Sequence, residues 1–441
     1  YFDEYMKQNP VSDPLASYRS LIAYVDVKHD FKNLSNTSDF YYQQRFNAGH
    51  SDNSPTVEDY LKDTAAAVKP GMKWTLNNVY ETFNLVPLRR RHLIKLSNGE
   101  SKRLRIGVAL LHNPLLLLLD NPLDGLDVNT REQFEDIFSR IVQSGIAIVM
   151  ATSPLEIPKI ITHVAALNKN RKLTVCKRPD FTPAQSETTP VDTLEADKLQ
   201  ILTARKDKQN FDVLVFMKNV RVTYGDSIIF DNINWKIRPG DCWALSGPNG
   251  SGKSTLLSLI NGDHPQAYAN EIVLFDKKRG SGESIWDIKK QIGLISADLQ
   301  IRQHKNINAF DVVCSGFFDS NGLYKRCRPE ELAIAREWTH FIGIDELAEH
   351  KFGRLSHGQR QLVLIARAMV KSPEILILDE PFQGLDIKNR TKILDIFEYI
   401  GSQTRTNLIY VPNQGEEALS CITHVLNMDH GKAIDQHSLE G

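Results

Sequence analysis

Two short apolar runs, Leu115–Leu119 and Ile375–Leu378, each lead into a carboxylate, Asp120 and Asp379. Runs of this length with no polar position predict parallel strands covered on both faces, a buried helical segment being the alternative. Between Gln359 and Val370 the apolar residues Leu362, Ile365, Ala366 and Met369 recur at helical spacing, and Ser372-Pro373 discourages continuation. That pattern predicts a helix with one buried face. Cys242–Leu245 reads as another strand and Leu256–Ile260 as the helix after it. In contrast, Lys177–Gln209 is rich in Pro, Thr, Ser and mixed charge, with T-P-A-Q-S-E-T-T-P at its centre, and Ser186–Gln209 within it predicts a linker.

The pattern occurs twice. L-S-N-G-E at Leu96–Glu100, the apolar run ending at Asp120, and G-L-D at Gly125–Asp127 are repeated as L-S-H-G-Q at Leu355–Gln359, the run ending at Asp379, and G-L-D at Gly384–Asp386. Asp379 lies 259 positions after Asp120, and the same offset relates Ser97 to Ser356 and Asp127 to Asp386. A fixed offset over several motifs marks an internal repeat. The expected domains are 1–185 and 211–441, joined by a linker at 186–210, and 441 residues give each room for its own core.

Composition narrows the function classes. A formal net charge of −1 supplies no global attraction to nucleic acid or to an anionic membrane. The five cysteines are scattered, odd in number and never spaced C-x-x-C, so neither a zinc site nor a disulfide framework is expected, and a reducing compartment fits. Leu115–Leu119 is far shorter than the roughly 20 apolar residues a membrane-spanning helix needs, so a membrane role calls for a separate chain. The sequence opens at Tyr1 with neither an initiator methionine nor an apolar signal core, and its native start is expected upstream.

The chemistry concentrates in G-P-N-G-S-G-K-S-T, Gly247–Thr255. It follows a predicted strand and opens a predicted helix, the context that makes G-x-x-x-x-G-K-[ST] a phosphate-binding loop. Gly247, Pro248, Asn249, Gly250, Ser251, Gly252 and Thr255 shape a backbone whose N–H groups turn inward, and the helix N-terminus adds positive potential. Lys253 is expected to meet the β- and γ-phosphates, and Ser254 to ligate Mg²⁺ through oxygen. Asp379 is the expected magnesium partner from the neighbouring strand, and Glu380 is placed to orient or deprotonate an attacking water. A glycine-rich turn without ligand, and a solvated strand end, are the plain alternatives.

The ordered set Gly247–Thr255, L-S-H-G-Q, Asp379-Glu380 and Gly384–Asp386 resembles the nucleotide-binding domain of an ABC ATPase, here in tandem over nearly the whole chain. G-D-H-P-Q-A-Y at Gly262–Tyr268 and R-G-S-G-E-S-I-W-D-I-K-K at Arg279–Lys290 look like the ModF-type, photorepair PhrA-like, tandem ATPases. The resemblance implies α/β architecture: two P-loop NTPase domains, each with a mainly parallel sheet core and a helical subdomain. It implies ATP and Mg²⁺ held between the halves, with Ser97 and Gly99 closing over the ATP on Lys253, and Ser356 and Gly358 facing the other nucleotide. Tyr224, in V-T-Y-G, stands where the family places an aromatic on adenine; a tyrosine packed in its strand is the alternative.

Departures from the family pattern matter. The counterpart of Gly247 falls before Tyr1, so the first domain is expected to be N-terminally incomplete and to lack its phosphate loop. Asn121 replaces Glu380 in the first copy, and an amide cannot take a proton as a carboxylate does. Asn413, in V-P-N-Q-G, and Thr152 stand where a γ-phosphate histidine is usual, and Ala297 stands where a metal-sensing glutamine is usual, with Gln43 or Gln44 its first-copy candidates. Tyr41, Tyr42 and Arg45 form an aromatic-basic cluster that reads as packing before nucleic-acid binding.

The expected activity is slow ATP hydrolysis with one degenerate site, carried by Glu380, Lys253 and Asn413, moving an unidentified protein client in the cytoplasm. An ATP-gated switch with little turnover is the first alternative, and the energising subunit of a transporter at the membrane periphery the second.

Overall fold

The computed structural model describes residues 21–26, 55–66, 73–93, 96, 98–123, 126, 128–154, 157–167, 172–182, 210–224, 227–248, 250–296, 299–300, 303–382, 385, 387–412, 419–429 and 431–438. The chain separates into two compact units, Tyr1–Gln185 and Ser186–Gly441. All of the expected linker except Asn210 lies outside the described residues.

The first unit runs β1 (Ile22–Val25), α1 (Val57–Ala66), α2 (Leu76–Thr82), α3 (Asn98–Leu111), β2 (Leu116–Asp120), α4 (Val128–Gln143), β3 (Ala147–Ala151), β4 (His163–Leu167) and β5 (Leu173–Lys177). β1, β2 and β3 form a parallel sheet with β2 in the middle, while β4 and β5 pair antiparallel by themselves. Leu117 and Leu119 of β2 are buried against Leu104 and Leu110 of α3 and Phe134 and Phe138 of α4 in one core. Gly107 of α3 allows close helix packing there: a Cβ at this position lies 2.7 Å from Val79 Cγ1 of α2.

In the second unit the order is β6 (Val215–Tyr224), β7 (Ser227–Ile237), β8 (Trp243–Ser246), α5 (Lys253–Ile260), β9 (Glu271–Leu274), β10 (Lys277–Lys278), α6 (Ile285–Gln291), β11 (Ile292–Ser296), α7 (Ala309–Ser315), α8 (Pro329–Ile342), α9 (His357–Met369), β12 (Ile375–Asp379), α10 (Ile387–Gln403), β13 (Asn407–Val411), β14 (His424–Asp429) and β15 (Lys432–Ser438). A six-stranded sheet has the order β11-β12-β13-β8-β14-β15, parallel except for its last pair. An antiparallel sheet, β10-β9-β6-β7, packs with β8 and α5 around Phe230, Trp235, Leu245 and Leu256. Helices α7, α8 and α9 share the other core, around Val312, Trp338 and Ile365, with the opposite face of the parallel sheet. Ile375, Leu376, Ile377 and Leu378 are all fully buried, as the apolar run requires of a strand sandwiched between two layers.

The repeat therefore has a structural form. β1, β2, β3, β4 and β5 repeat the order of β11, β12, β13, β14 and β15, with Asp120 and Asp379 closing equivalent strands. The constant offset does not extend upstream: Ile22 lies opposite Leu116 and Ile292 opposite Ile375, so β1 and β11 are farther apart in sequence than their partners. A counterpart of β8 is not found among the described residues of the first unit.

Candidate functional site

β8 and α5 are joined by a loop in which three glycines take left-handed backbone angles: Gly247 at φ 142°, Gly250 at 86° and Gly252 at 103°. At Gly247 a Cβ would lie 2.1 Å from Met428 O on β14, so both the backbone angle and the neighbouring strand demand glycine. Gly252 is the N-cap of α5 and abuts Phe230 of β7, which fixes the helix start beneath the hairpin.

Lys253, the first helical residue, is buried, and its Nζ donates to the carbonyls of Gly247 (2.7 Å) and Pro248 (3.0 Å), drawing the ammonium across the loop. Ser251 N donates to Pro248 O (3.2 Å), while its buried Oγ has no hydrogen-bond partner. Backbone amides, a helix N-terminus and a held ammonium suit a polyphosphate, and an orphaned buried hydroxyl gains from an anionic acceptor. Ser254 and Asp379, both half-buried, offer the oxygen donors that a hard cation takes.

Asp379 lies opposite Val411 of β13, and β13 pairs on its other edge with β8. The loop and Asp379 therefore leave the same end of a parallel sheet with one strand between them, about 10 Å at ordinary strand spacing. Open α/β sheets bind their ligands at the carboxyl ends of such strands. Beyond Asp379 the chain kinks: Glu380 has φ 50°, and its amide donates to Val411 O at 3.1 Å. Asn121 repeats the kink after Asp120, with φ 42° and a 2.8 Å bond to Ala151 O. Its side-chain amide donates to Asp120 Oδ1 (3.2 Å), and Lys102 Nζ donates to its carbonyl (3.3 Å). Burial, aided by the charge of Asp26, raises the Asp120 carboxyl above its ordinary range.

The L-S-H-G-Q segment opens α9. Ser356 is its N-cap in a reciprocal capping box: Ser356 Oγ accepts from Gln359 N (3.2 Å), and Ser356 N donates to Gln359 Oε1 (2.9 Å). Gly358 is buried where a Cβ would lie 2.5 Å from Asn389 Nδ2 of α10, and Gly99 similarly faces Thr130 of α4, at 3.3 Å. Tyr224 ends β6 half-buried, its hydroxyl 2.9 Å from His264 Nε2. Thr152 directly follows β3. Ser97, Asn249, Asn413, Ala297, Gln43, Gln44, Tyr41, Tyr42 and Arg45 lie outside the described residues.

Two features escaped the sequence reading. Gln300 Nε2 donates to His357 O and to Gln361 Oε1, both at 3.3 Å, and Gln361 Nε2 donates to Pro381 O at 2.9 Å. This amide chain ties the start of α9 to the turn after Glu380, across separations that no local spacing reveals. In the R-G-S-G-E stretch, Arg279 and Glu283 are a fully buried ion pair (2.7 Å) with the guanidinium 4.7 Å over the Tyr268 ring. Glu283 also accepts from the amides of Gly280 and Ser281, and these contacts lower its carboxyl although burial opposes them.

Comparison with known proteins places the chain in a family. The family model described as ABC transporter matches residues 4–124 and 230–383. The chain is 35% identical to the ABC transporter ATP-binding protein ModF of Escherichia coli (strain K12), over 86% of this chain and 78% of that protein. An uncharacterized ABC transporter ATP-binding protein of Schizosaccharomyces pombe is 30% identical over 92% of this chain and 83% of its own length. A solved dimeric ATP-binding cassette, in a post-hydrolysis state with ADP and Pi, aligns at 25% identity over 52% of this chain and 100% of that one, with a TM-score of 0.44.

Proposed function

Because this chain belongs to the ABC transporter ATP-binding family, as a tandem protein resembling ModF, we propose that its second unit binds ATP with Mg²⁺ and hydrolyses it slowly. The observation that carries this reading is the loop Gly247–Lys253, where three left-handed glycines and a buried lysine shape a cradle at the end of β8, one strand from Asp379. Lys253 exchanges its bonds to the loop carbonyls for phosphate oxygens. Ser251 gives its orphaned hydroxyl to the same anion. Ser254 and Asp379 would hold Mg²⁺, which would supply charge neutralisation at the phosphates. Glu380 orients a water and accepts its proton, and Asn413 donates a hydrogen bond to the γ-phosphate.

We propose further that the two halves, 1–185 and 211–441 about a linker at 186–210, close on nucleotide through the signature residues. Ser97 and Gly99 then serve the ATP on Lys253, and Ser356 and Gly358 serve the other site. Asn121, whose amide is bonded to Asp120, makes the first site a binding site with little cleavage. That observation also favours a second reading, an ATP-gated switch acting on a client protein. No helix of the described residues is long and apolar enough to cross a membrane; a third reading is service to a transporter whose membrane protein is a separate chain.

The test is calorimetric binding and phosphate release on the full chain. Lys253→Ala abolishes ATP affinity, and Glu380→Gln keeps affinity while turnover falls by about 10²–10⁴. Undiminished nucleotide affinity in Lys253→Ala overturns the site. Unchanged turnover in Glu380→Gln overturns the role of Glu380 and leaves the switch.

A further inference from the structure

The segment G-D-H-P-Q-A-Y begins where α5 ends. Asn261 caps the helix, and His264 N returns to Ser258 O at 3.2 Å, so the histidine is anchored to the helix that begins with Lys253. His264 is only 1% exposed. Its Nδ1 accepts from Gln266 N at 3.1 Å, which assigns the ring proton of the neutral imidazole to Nε2. Burial favours the neutral ring, depressing the imidazole to about 4. Nε2–H is then the donor to the Tyr224 hydroxyl at 2.9 Å, and the two rings lie 6.0 Å apart with a 39° tilt.

The same segment holds the backbone beside the tyrosine. Gln266 Oε1 accepts from Thr223 N (3.2 Å), and Gln266 Nε2 donates to Thr223 O (2.7 Å). Tyr224 is thus held at its hydroxyl, and its neighbour Thr223 at its backbone, by residues immediately following α5. At 1.5 Å per residue the eight residues of α5 span about 12 Å, so one rigid helix separates the lysine of the phosphate loop from the clamp on the tyrosine.

We propose that His264 is a positioning residue for the nucleotide base: through Nε2–H it fixes the orientation of the Tyr224 ring relative to the phosphate loop. This rests on the reading of Tyr224 as the base-stacking residue. A tyrosine free to rotate about χ1 and χ2 loses that freedom when the base binds; the clamp removes the loss beforehand. The effect is expected on ligands with a base, because the bonds of His264 to Ser258, Gln266 and Tyr224 run to residues outside Gly247–Thr255.

The experiment compares ATP with inorganic tripolyphosphate on the full chain by calorimetry. Tyr224→Phe, which keeps the ring and removes the hydroxyl, and His264→Leu each weaken ATP about fivefold, the value of one ordinary hydrogen bond, and leave tripolyphosphate unchanged. The double variant is no weaker than either single one, and His264→Gln, which retains a donor amide, recovers most of the affinity. Additive losses, about 25-fold in the double variant, overturn the clamp. If Tyr224→Ala loses ATP affinity while Tyr224→Phe does not, the clamp fails and the base site stands. If Tyr224→Ala binds ATP as tightly as the parent, the base site itself fails and the clamp falls with it.

Discussion

Glu380 and Asn121 occupy the same backbone kink in the two units, at φ 50° and 42°, each donating its amide to the last residue of the adjacent strand, Val411 and Ala151. Asparagine is among the side chains that tolerate the left-handed region, whereas glutamate is strained there by roughly 1 kcal/mol. The second unit keeps the strained residue where a carboxylate can serve chemistry, and the first keeps the comfortable one. Glu380→Asn is therefore expected to raise unfolding stability by about 1 kcal/mol while abolishing most turnover. Asn121→Glu is expected to lower stability by a similar amount. Denaturant titrations of the two variants, beside phosphate release, check both signs.

Gly247→Ala meets two obstacles together, a backbone angle of 142° and a carbonyl oxygen 2.1 Å from the new Cβ. The obstructing atom is backbone, Met428 O, and cannot rotate away. A loss of at least about 2 kcal/mol is expected, together with loss of ATP binding. Gly250→Ala, with nothing within 4 Å of its Cβ, is the control and should lose less. Melting curves and nucleotide titration distinguish them.

Glu283→Gln leaves the buried guanidinium of Arg279 without its counter-charge, although the amide still fits the turn at Gly280 and Ser281. Breaking one side of a buried pair costs about 3 kcal/mol or more. The expected result is a large fall in unfolding stability with ATP affinity per folded molecule unchanged, measured by denaturant titration and by calorimetry on the folded fraction.

Lys371 is buried beside Asp319 (3.2 Å), with Arg367 and Lys289 also facing that carboxylate. Burial depresses its amine to about 8, Asp319 working in the opposite direction. In the unfolded chain the amine keeps its ordinary value, near 10.4. Between these values the unfolded state binds the extra proton, so stability should rise as pH increases from about 8 to 10. Lys371→Met should flatten that segment of the curve, as pH-dependent denaturation will register.

The glycine turn at Gly247–Gly252 and the two carboxylate-ended strands were legible because each is a local pattern: glycine spacing sets the turn, and an unbroken apolar run sets a covered strand. Ser356 with Gln359 is also local, since S-x-x-Q at a helix start is a capping box, yet the sequence reading gave Ser356 a nucleotide role alone. The Tyr224–His264 contact joins residues 40 positions apart, and Gln300 reaches His357 and Gln361 across still longer gaps. Those pairings depend on how β6, α5 and α9 pack, which periodicity does not encode. The kink at Glu380 was equally hidden, because φ is set by the adjoining strand and not by the run that precedes it.

The capping box at Ser356 has a directional result. The hydroxyl oxygen spends a lone pair on the Gln359 amide, and the backbone amide of Ser356 is taken by the Gln359 side chain. The hydroxyl hydrogen and the second lone pair are left over, at an exposed helix tip whose own amides carry positive potential. At a helix N-terminus of that polarity, a hydroxyl donor is better matched to an oxyanion than to a cation.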